Sequence, residues 1–169
     1  MLKALLALAI VAICATAPTT VTAANDDPPA SVTVSFGAGL NTAQPGNSAN
    51  HHILPRVIRV RQGGVVNFVV AGFHWILVYK PGTDADDVRA FVDTLPTPKP
   101  TFINFLTAAP ADRLQYIGIN PTVSTPPLSN AFNRVESVSF ARKGTYLVIC
   151  NVTEHFEDGM MALVKVGDD

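Results

Sequence analysis

Gly144-Thr-Tyr-Leu-Val-Ile-Cys150-Asn-Val-Thr-Glu-His155-Phe-Glu-Asp-Gly-Met160-Met-Ala-Leu-Val-Lys-Val166 is the stretch that decides the fold. Its two ends are rich in β-branched and aliphatic residues, which predicts two strands joined by a short loop. The loop region carries Cys150, His155 and Met160 at even intervals. A packed strand that ends at Cys150 fixes the direction of its sulfur, and the loop returns the other two side chains across it.

These three side chains offer a thiolate, an imidazole and a thioether. This is the donor set of a mononuclear blue-copper centre that lacks one imidazole. Methionine ordinarily fills a core, so Met160 is interpreted as a ligand only because Cys150 and His155 accompany it. Met161 alternates to the opposite face of its strand, which makes Met160 the axial candidate. The sequence therefore predicts one copper ion per chain.

Residues 1–24 have the pattern of a secretory signal peptide, with Lys3 before an apolar run too short to span a bilayer and small residues at its end. A buried N-terminal helix is the alternative, but the run is apolar on all sides and a polar, proline-containing stretch follows it. Lipidation of Cys14 is disfavoured because the bulky Ile13 precedes it.

Removal of this segment would leave Cys150 as the only cysteine. In an oxidising compartment a lone cysteine is inert in the core, paired between chains, or bound to a metal. The spacing from Cys150 to His155 and Met160 favours the metal.

Residues 25–169 are long enough for one domain with a substantial core. The 169-residue chain has a formal net charge of −1 at pH 7, and no basic stripe indicates nucleic acid as a partner. No apolar run after residue 24 is long enough to cross a membrane. We expect a secreted monomer in the periplasm or cell envelope of a bacterium.

Short β-rich runs with glycine and proline turns predict an all-β fold, either an antiparallel sandwich or a Greek-key barrel. Residues 83–134 differ and are interpreted as an insertion folded over the sandwich. Residues 84–93 have acidic side chains in the first turn and apolar ones at helical spacing, which predicts a short helix. A second small helix is predicted near residues 111–116.

The missing imidazole has three possible sources, because His51, His52 and His74 remain once His155 is assigned. His74 lies in an apolar stretch, where an unpaired imidazole would be costly to bury. A core histidine satisfied by hydrogen bonds is the ordinary interpretation, but beside the cysteine–histidine–methionine loop the ligand role is favoured. His51 and His52 lie in a polar stretch before Pro55 and are interpreted mainly as surface residues, with a ligand role as the weaker alternative.

This pattern resembles the cupredoxins, or type I blue-copper proteins. The strand Gly144-Thr-Tyr-Leu-Val-Ile-Cys150 is similar to their approach to the ligand cysteine. The spacing Cys150-x4-His155-x3-Gly159-Met160 is similar to the loop of phytocyanins and rusticyanin, and His74 falls where the first histidine of the family lies. The resemblance covers residues 55–79 and 135–166 and leaves the insertion unmatched.

The resemblance implies an eight-stranded Greek-key β-sandwich with a copper ion near one end. It also implies the ligand set His74, Cys150, His155 and Met160, and one-electron transfer between larger redox proteins. Three departures stand out. Trp75 replaces an asparagine that often braces the ligand loop, Phe73 replaces a proline, and the phytocyanin disulfide is absent.

Three functions are compatible with such a site. The favoured one is an electron carrier, in which the edge of His155 reaches the surface by family analogy. The alternative is a copper-binding, storage or delivery module without a redox role. An enzyme is disfavoured because Ile149 flanks Cys150 where multicopper enzymes have histidine, and only His51 and His52 are spare.

Two further features of the loop receive the less specific interpretation. The sequon that begins at Asn151 lies inside the proposed ligand loop and is interpreted as accidental. Glu154, Glu157 and Asp158 could form an acidic rim for a basic partner, but a solvated loop is favoured.

Overall fold

The computed structural model describes residues 27–37, 48–103, 113–122 and 132–167. The proposed signal segment, residues 1–24, lies outside these ranges. Within them the chain is mainly β, with two short α-helices and one short 3-10 helix at Ser48–Asn50. The elements in chain order are β1 Ser31–Phe36, β2 Ile53–Leu54, β3 Val57–Val60, β4 Gly64–Ala71, β5 Ile76–Tyr79, α1 Ala85–Val92, β6 Leu114–Ile117, β7 Asn133–Phe140, β8 Gly144–Cys150, α2 Thr153–Glu157 and β9 Met161–Val166.

The strands form two sheets. The first has the order β2-β1-β4-β7 and the second the order β3-β9-β8-β5-β6. The predicted β-sandwich is thus confirmed, but the sheets are mixed and the purely antiparallel expectation is wrong. β1 pairs with β4 and β3 pairs with β9 in parallel. Parallel neighbours need a crossover connection, and β3, which belongs to the second sheet, lies on the path from β1 to β4.

The main core lies between the two sheets. β4 alternates buried and half-buried residues along its length, as expected for a strand with one face on a core. Phe36 and Phe68 meet edge to face at a centroid separation of 6.1 Å, and Phe140 and Tyr146 do so at 5.0 Å. These rings fill the space that the aliphatic side chains of both sheets enclose.

A second, smaller core covers the outer face of the second sheet. All four residues of β5 are buried, because alternate side chains point into different cores. Ile76 and Val78 face the main core, whereas Leu77 and Tyr79 pack against α1 and α2. The insertion therefore seals a sheet face that would otherwise be open to solvent.

The first helix of the insertion is confirmed by α1. Asp84 is its N-cap and accepts hydrogen bonds from the backbone N–H groups of Asp86 and Asp87, both at 2.9 Å. The Asp87 carboxylate accepts in return from the Asp84 N–H, which completes a capping box. Val88 and Val92 form its buried face.

The second predicted helix, near residues 111–116, is wrong in its described part. Leu114–Ile117 is a strand, β6, that pairs antiparallel with β5 at the edge of the second sheet. β5 offers an unpaired edge at this point, and its backbone groups are satisfied by a strand and not by a helix. Among the described residues, no helix is long and apolar enough to span a membrane.

Candidate metal centre

The β8–β9 hairpin brings three of the predicted site residues together. Cys150 is the last residue of β8, and its N–H donates to the Met160 carbonyl at 3.1 Å. Between them the chain forms α2, where a loop was expected, and the Met160 N–H donates to the His155 carbonyl at 2.9 Å. The hairpin thus fixes the backbone of Cys150, His155 and Met160 in one unit.

His74 reaches the same place from the other half of the chain. β5 begins only at Ile76, so His74 lies in the connection from β4 to β5. The β5–β8 register pairs Ile76 with Cys150, and the Asn151 N–H donates to the Trp75 carbonyl at 2.7 Å. His74 is therefore placed beside the end of β8.

Three donor atoms converge in a buried cluster. His74 Nδ1 and His155 Nδ1 are 3.0 Å apart, and Cys150 Sγ lies 3.8 Å and 3.6 Å from them. A metal with bonds of roughly 2.0–2.3 Å to nitrogen and sulfur needs ligand atoms about 3–4 Å apart. These spacings, with one thiol and two imidazoles, fit a single type I copper ion.

Burial sets the protonation of these groups. It lowers the pKa of His74 to about 3 and that of His155 to about 4, and nearby histidines add to each shift. Burial also raises the pKa of the Cys150 thiol to about 12. At neutral pH the imidazoles keep free lone pairs and the thiol keeps its proton, which a bound metal displaces.

Met160 and Met161 face different cores. Met160 is fully buried in the main core together with Cys150. Met161 is half-buried and packs against the second core. The period-two alternation that singled out Met160 from the sequence is therefore present in β9 and the residue before it.

His51 was interpreted as a surface residue, and that interpretation is wrong. Only 7% of it is exposed, and its ring stacks on that of His155 with a centroid separation of 3.7 Å. Its Nδ1 lies 2.6 Å from Asp158 Oδ2. His51 is not among the residues whose donor atoms converge, and His52 is only half-buried.

Gly37 is a residue of the site that the sequence did not single out. It has a φ of 99°, a conformation that favours glycine. A Cβ there would lie 2.8 Å from His74 Nε2 and 2.5 Å from the Ala71 carbonyl. The backbone after β1 therefore packs directly on the His74 ring.

Trp75 lies between the His74 segment and the insertion. It is buried, its Nε1–H donates to the Gly118 carbonyl at 2.8 Å, and its ring meets Phe102 edge to face at 5.3 Å. Gly118 and Phe102 both belong to the insertion. Trp75 therefore fastens the insertion to the His74 segment.

The insertion also supports the loop after Cys150. The Ile103 N–H donates to the Asn151 carbonyl at 2.8 Å, and the Thr153 N–H donates to the Thr101 carbonyl at 2.9 Å. The Thr153 hydroxyl donates to the Pro100 carbonyl at 2.7 Å. Residues 100–103 thus hold the backbone of the segment that follows Cys150, a role that no sequence motif indicated.

The polar residues of the loop are mostly engaged within the chain. Asn151 is fully buried, so its side chain is inaccessible to glycosylation. Glu157 pairs with Lys99 at 2.5 Å, and Asp158 holds His51. Two of the three acids of the suggested rim therefore have partners in this chain.

No protein-family model and no curated protein sequence matches the chain. Similar solved structures include a dithionite-reduced auracyanin from Roseiflexus castenholzii, with 17% identity, 83% of this chain and 99% of that chain covered, and a TM-score of 0.49. Another is auracyanin A, a blue copper protein from Chloroflexus aurantiacus, with 16% identity, coverages of 82% and 99%, and a TM-score of 0.44.

A pseudoazurin from Methylobacterium extorquens is also similar, with 18% identity, 82% of this chain and 76% of that chain covered, and a TM-score of 0.42. At these identities and TM-scores no property of those proteins passes to this chain, so its chemistry rests on its own residues.

Proposed function

We propose that this chain is a mononuclear blue-copper protein that carries single electrons between redox proteins, and that it is not an enzyme. His74, Cys150 and His155 would hold the copper ion, and Met160 would contribute a weaker thioether ligand. The observation that carries the proposal is the convergence of one buried sulfur and two buried imidazole nitrogens within 3.0–3.8 Å of each other.

Copper supplies one-electron chemistry to such a site, because thiolate and imidazole ligands stabilise both of its oxidation states. The chain supplies rigidity. Cys150 and Met160 are joined by a backbone hydrogen bond across the hairpin, and Gly37 packs against His74. Ligands that are held in place by packing change little between the two oxidation states, and this favours fast exchange.

The proposed route for electrons is the edge of His155. Only 7% of His155 is exposed, and His51 stacks on one face of its ring. A partner protein would therefore meet a narrow aromatic contact and not an open imidazole. The donor and acceptor are redox proteins of the same compartment, and the chain acts as a monomer.

The location that we propose is the bacterial periplasm or cell envelope. The support is the signal-like pattern of residues 1–24. Cys150 is a free, buried thiol. A thiol that serves as a metal ligand is protected from oxidation in such a compartment, because bound metal occupies its lone pairs.

Optical spectroscopy of the copper(II)-loaded protein tests the proposal. We expect an intense visible copper–thiolate band that Cys150→Ala abolishes. Met161→Leu is the matched control, since Met161 packs against the second core, and it should keep the band. A colourless copper-loaded wild type would refute the proposed function, and more than one copper per chain would indicate an enzyme.

One observation favours a second candidate function, which is copper storage or delivery without electron carriage. All three converging side chains are buried, and His51 covers part of His155. Cyclic voltammetry of the copper-loaded protein separates the two. A reversible one-electron wave supports the carrier, whereas tight copper retention without reversible redox cycling supports storage.

A further inference from the structure

A buried ion pair lies next to the metal centre. Arg134 Nε donates to Glu136 Oε1 at 2.6 Å, with only 6% of the Arg134 side chain and 2% of the Glu136 side chain exposed. Both residues belong to β7, which is in the other sheet from β5 and β8. Burying two charges is costly unless further hydrogen bonds satisfy them. The other hydrogen-bond partners of the two side chains therefore indicate the role of the pair.

The partners of Glu136 come from the insertion. Its Oε2 accepts a hydrogen bond from the Tyr116 hydroxyl at 2.8 Å and one from the Ile119 N–H at 3.3 Å. Gly118 lies so close that a Cβ there would collide with the Glu136 carboxylate and with Ile76. The carboxylate is thus held on several sides and gives the guanidinium a partner in a fixed position.

Arg134 directs its other donors at the His74 segment. Its Nη2 donates to the His74 carbonyl at 2.9 Å and to the Ile119 carbonyl at 3.1 Å. His74 precedes β5, and its own N–H bonds locally, to the Gly72 carbonyl at 3.0 Å. Arg134 therefore supplies a fixed point to a ligand backbone that lies outside the sheet.

We propose that Arg134 is a positioning residue of the metal centre. Glu136 holds the guanidinium, and Tyr116 holds Glu136. Arg134 thereby fixes the His74 backbone and so the direction of the His74 imidazole towards Cys150. This inference rests on the proposed function. The pair could instead serve only to fasten the insertion to β7. The two roles differ in outcome, because a purely structural pair would leave metal affinity unchanged in a variant that still folds.

The first test is the double variant Arg134→Met/Glu136→Gln, which removes both charges together and leaves no buried charge unpaired. We expect about a 10- to 100-fold loss of copper(I) affinity, measured by competition with a chromophoric chelator, which is the usual cost of losing a residue that orients a metal ligand. The copper(II)–thiolate band should also shift. Asp86→Asn, which removes an exposed carboxylate on α1 and leaves Arg89 over the Phe156 ring, is the control and should change neither property.

Arg134→Lys is the second test. A lysine keeps the positive charge beside Glu136, but a single ammonium cannot replace the planar fork that reaches Glu136, His74 and Ile119 together. We expect it to fold and to show reduced copper(I) affinity. Wild-type affinity and an unshifted band in any folded variant would overturn the proposal, as would the failure of both variants to fold.

These outcomes are distinct from failure of the proposed function. A wild type that binds copper(I) but shows no copper(II)–thiolate band would refute electron carriage. The affinity comparison between wild type and the Arg134 variants would still decide whether Arg134 positions His74.

Discussion

His51 lies outside the proposed ligand set and packs directly against it. Its ring covers one face of His155, and Asp158 fixes its orientation. The shell around a metal site controls the access of water and thereby the reduction potential. A thiolate site is less charged with copper(I) than with copper(II), so exclusion of water favours the reduced state.

Replacing His51 by alanine should let water reach His155. We expect the reduction potential to fall by roughly 59 mV or less, which corresponds to a tenfold or smaller change in the equilibrium constant of a one-electron couple. Voltammetry of the two proteins at equal pH measures the shift. His51→Phe is the control, because it keeps a stacked ring but loses Asp158. A potential that is unchanged in His51→Ala would show that His51 does not exclude water.

The sequence predicts residues of the centre where their own neighbourhood carries a signal, as the apolar stretch around His74 does. Cys150, His155 and Met160 lie in one hairpin loop, so their spacing alone indicates metal binding. Gly37, His51 and Arg134 act on the centre through contacts between distant segments, and nothing in their own neighbourhoods marks them. Trp75 stands out as a departure from the cupredoxin pattern, but its partner Gly118 lies in a stretch without a motif.

At the scale of elements, α1 depends on its N-cap. Asp84 accepts from two N–H groups that would otherwise lack a partner, and replacing an N-cap by alanine typically costs about 1 kcal/mol. We expect Asp84→Ala to lower the free energy of unfolding by about this amount in chemical denaturation. The copper–thiolate band of the folded protein should be unchanged, since α1 contacts the second core.

Asp86→Ala is the matched control for the cap. It also removes one negative charge from the first turn, so the effect on the helix dipole cancels between the two variants. Asp86 otherwise pairs with exposed Arg89, which is worth only about 0.2–1 kcal/mol. Equal destabilisation by the two substitutions would contradict a specific role of the Asp84 cap.

The elements of the insertion differ in how well the sequence predicts them. α1 has a cap, acidic residues in its first turn and an apolar face, and these agree with one another. Residues 114–117 lack such signals, and their conformation is set by the free edge of β5. The parallel pairs β1–β4 and β3–β9 depend on which distant strands meet, so strand patterns predict the sandwich but not its strand order.

For the whole molecule, the buried histidines predict acid sensitivity of the metal-free protein. The folded pKa values of His74 and His155, about 3 and about 4, lie below the unfolded value of 6.5. Between these values the unfolded chain binds more protons, so the free energy of unfolding falls as the pH falls. We expect a loss on the order of a few kcal/mol between pH 7 and about 4.5.

Denaturation of the metal-free protein at several pH values measures this loss. His155→Gln removes one of the two groups and should reduce the slope of stability against pH by about half, whatever its effect on stability at pH 7. A free energy of unfolding that does not change between pH 7 and about 4.5 would show that the two imidazoles take up protons in the folded chain as readily as in the unfolded chain. Bound copper should oppose the loss, because protons compete with the metal for the same nitrogen atoms.

The pairing of β5 with β8, which brings His74 beside Cys150, has a consequence for how the chain reaches its native state. Contacts between distant segments form late in folding. Closing the long loop between them costs chain entropy before the contact contributes any stabilisation. The β8–β9 hairpin is local, so Cys150 and His155 can meet before His74 arrives from the β4–β5 connection. In that interval the thiol has no shelter from oxidants or from foreign metals. The thiol is therefore most open to these reactions before β5 pairs with β8 and brings His74 beside it.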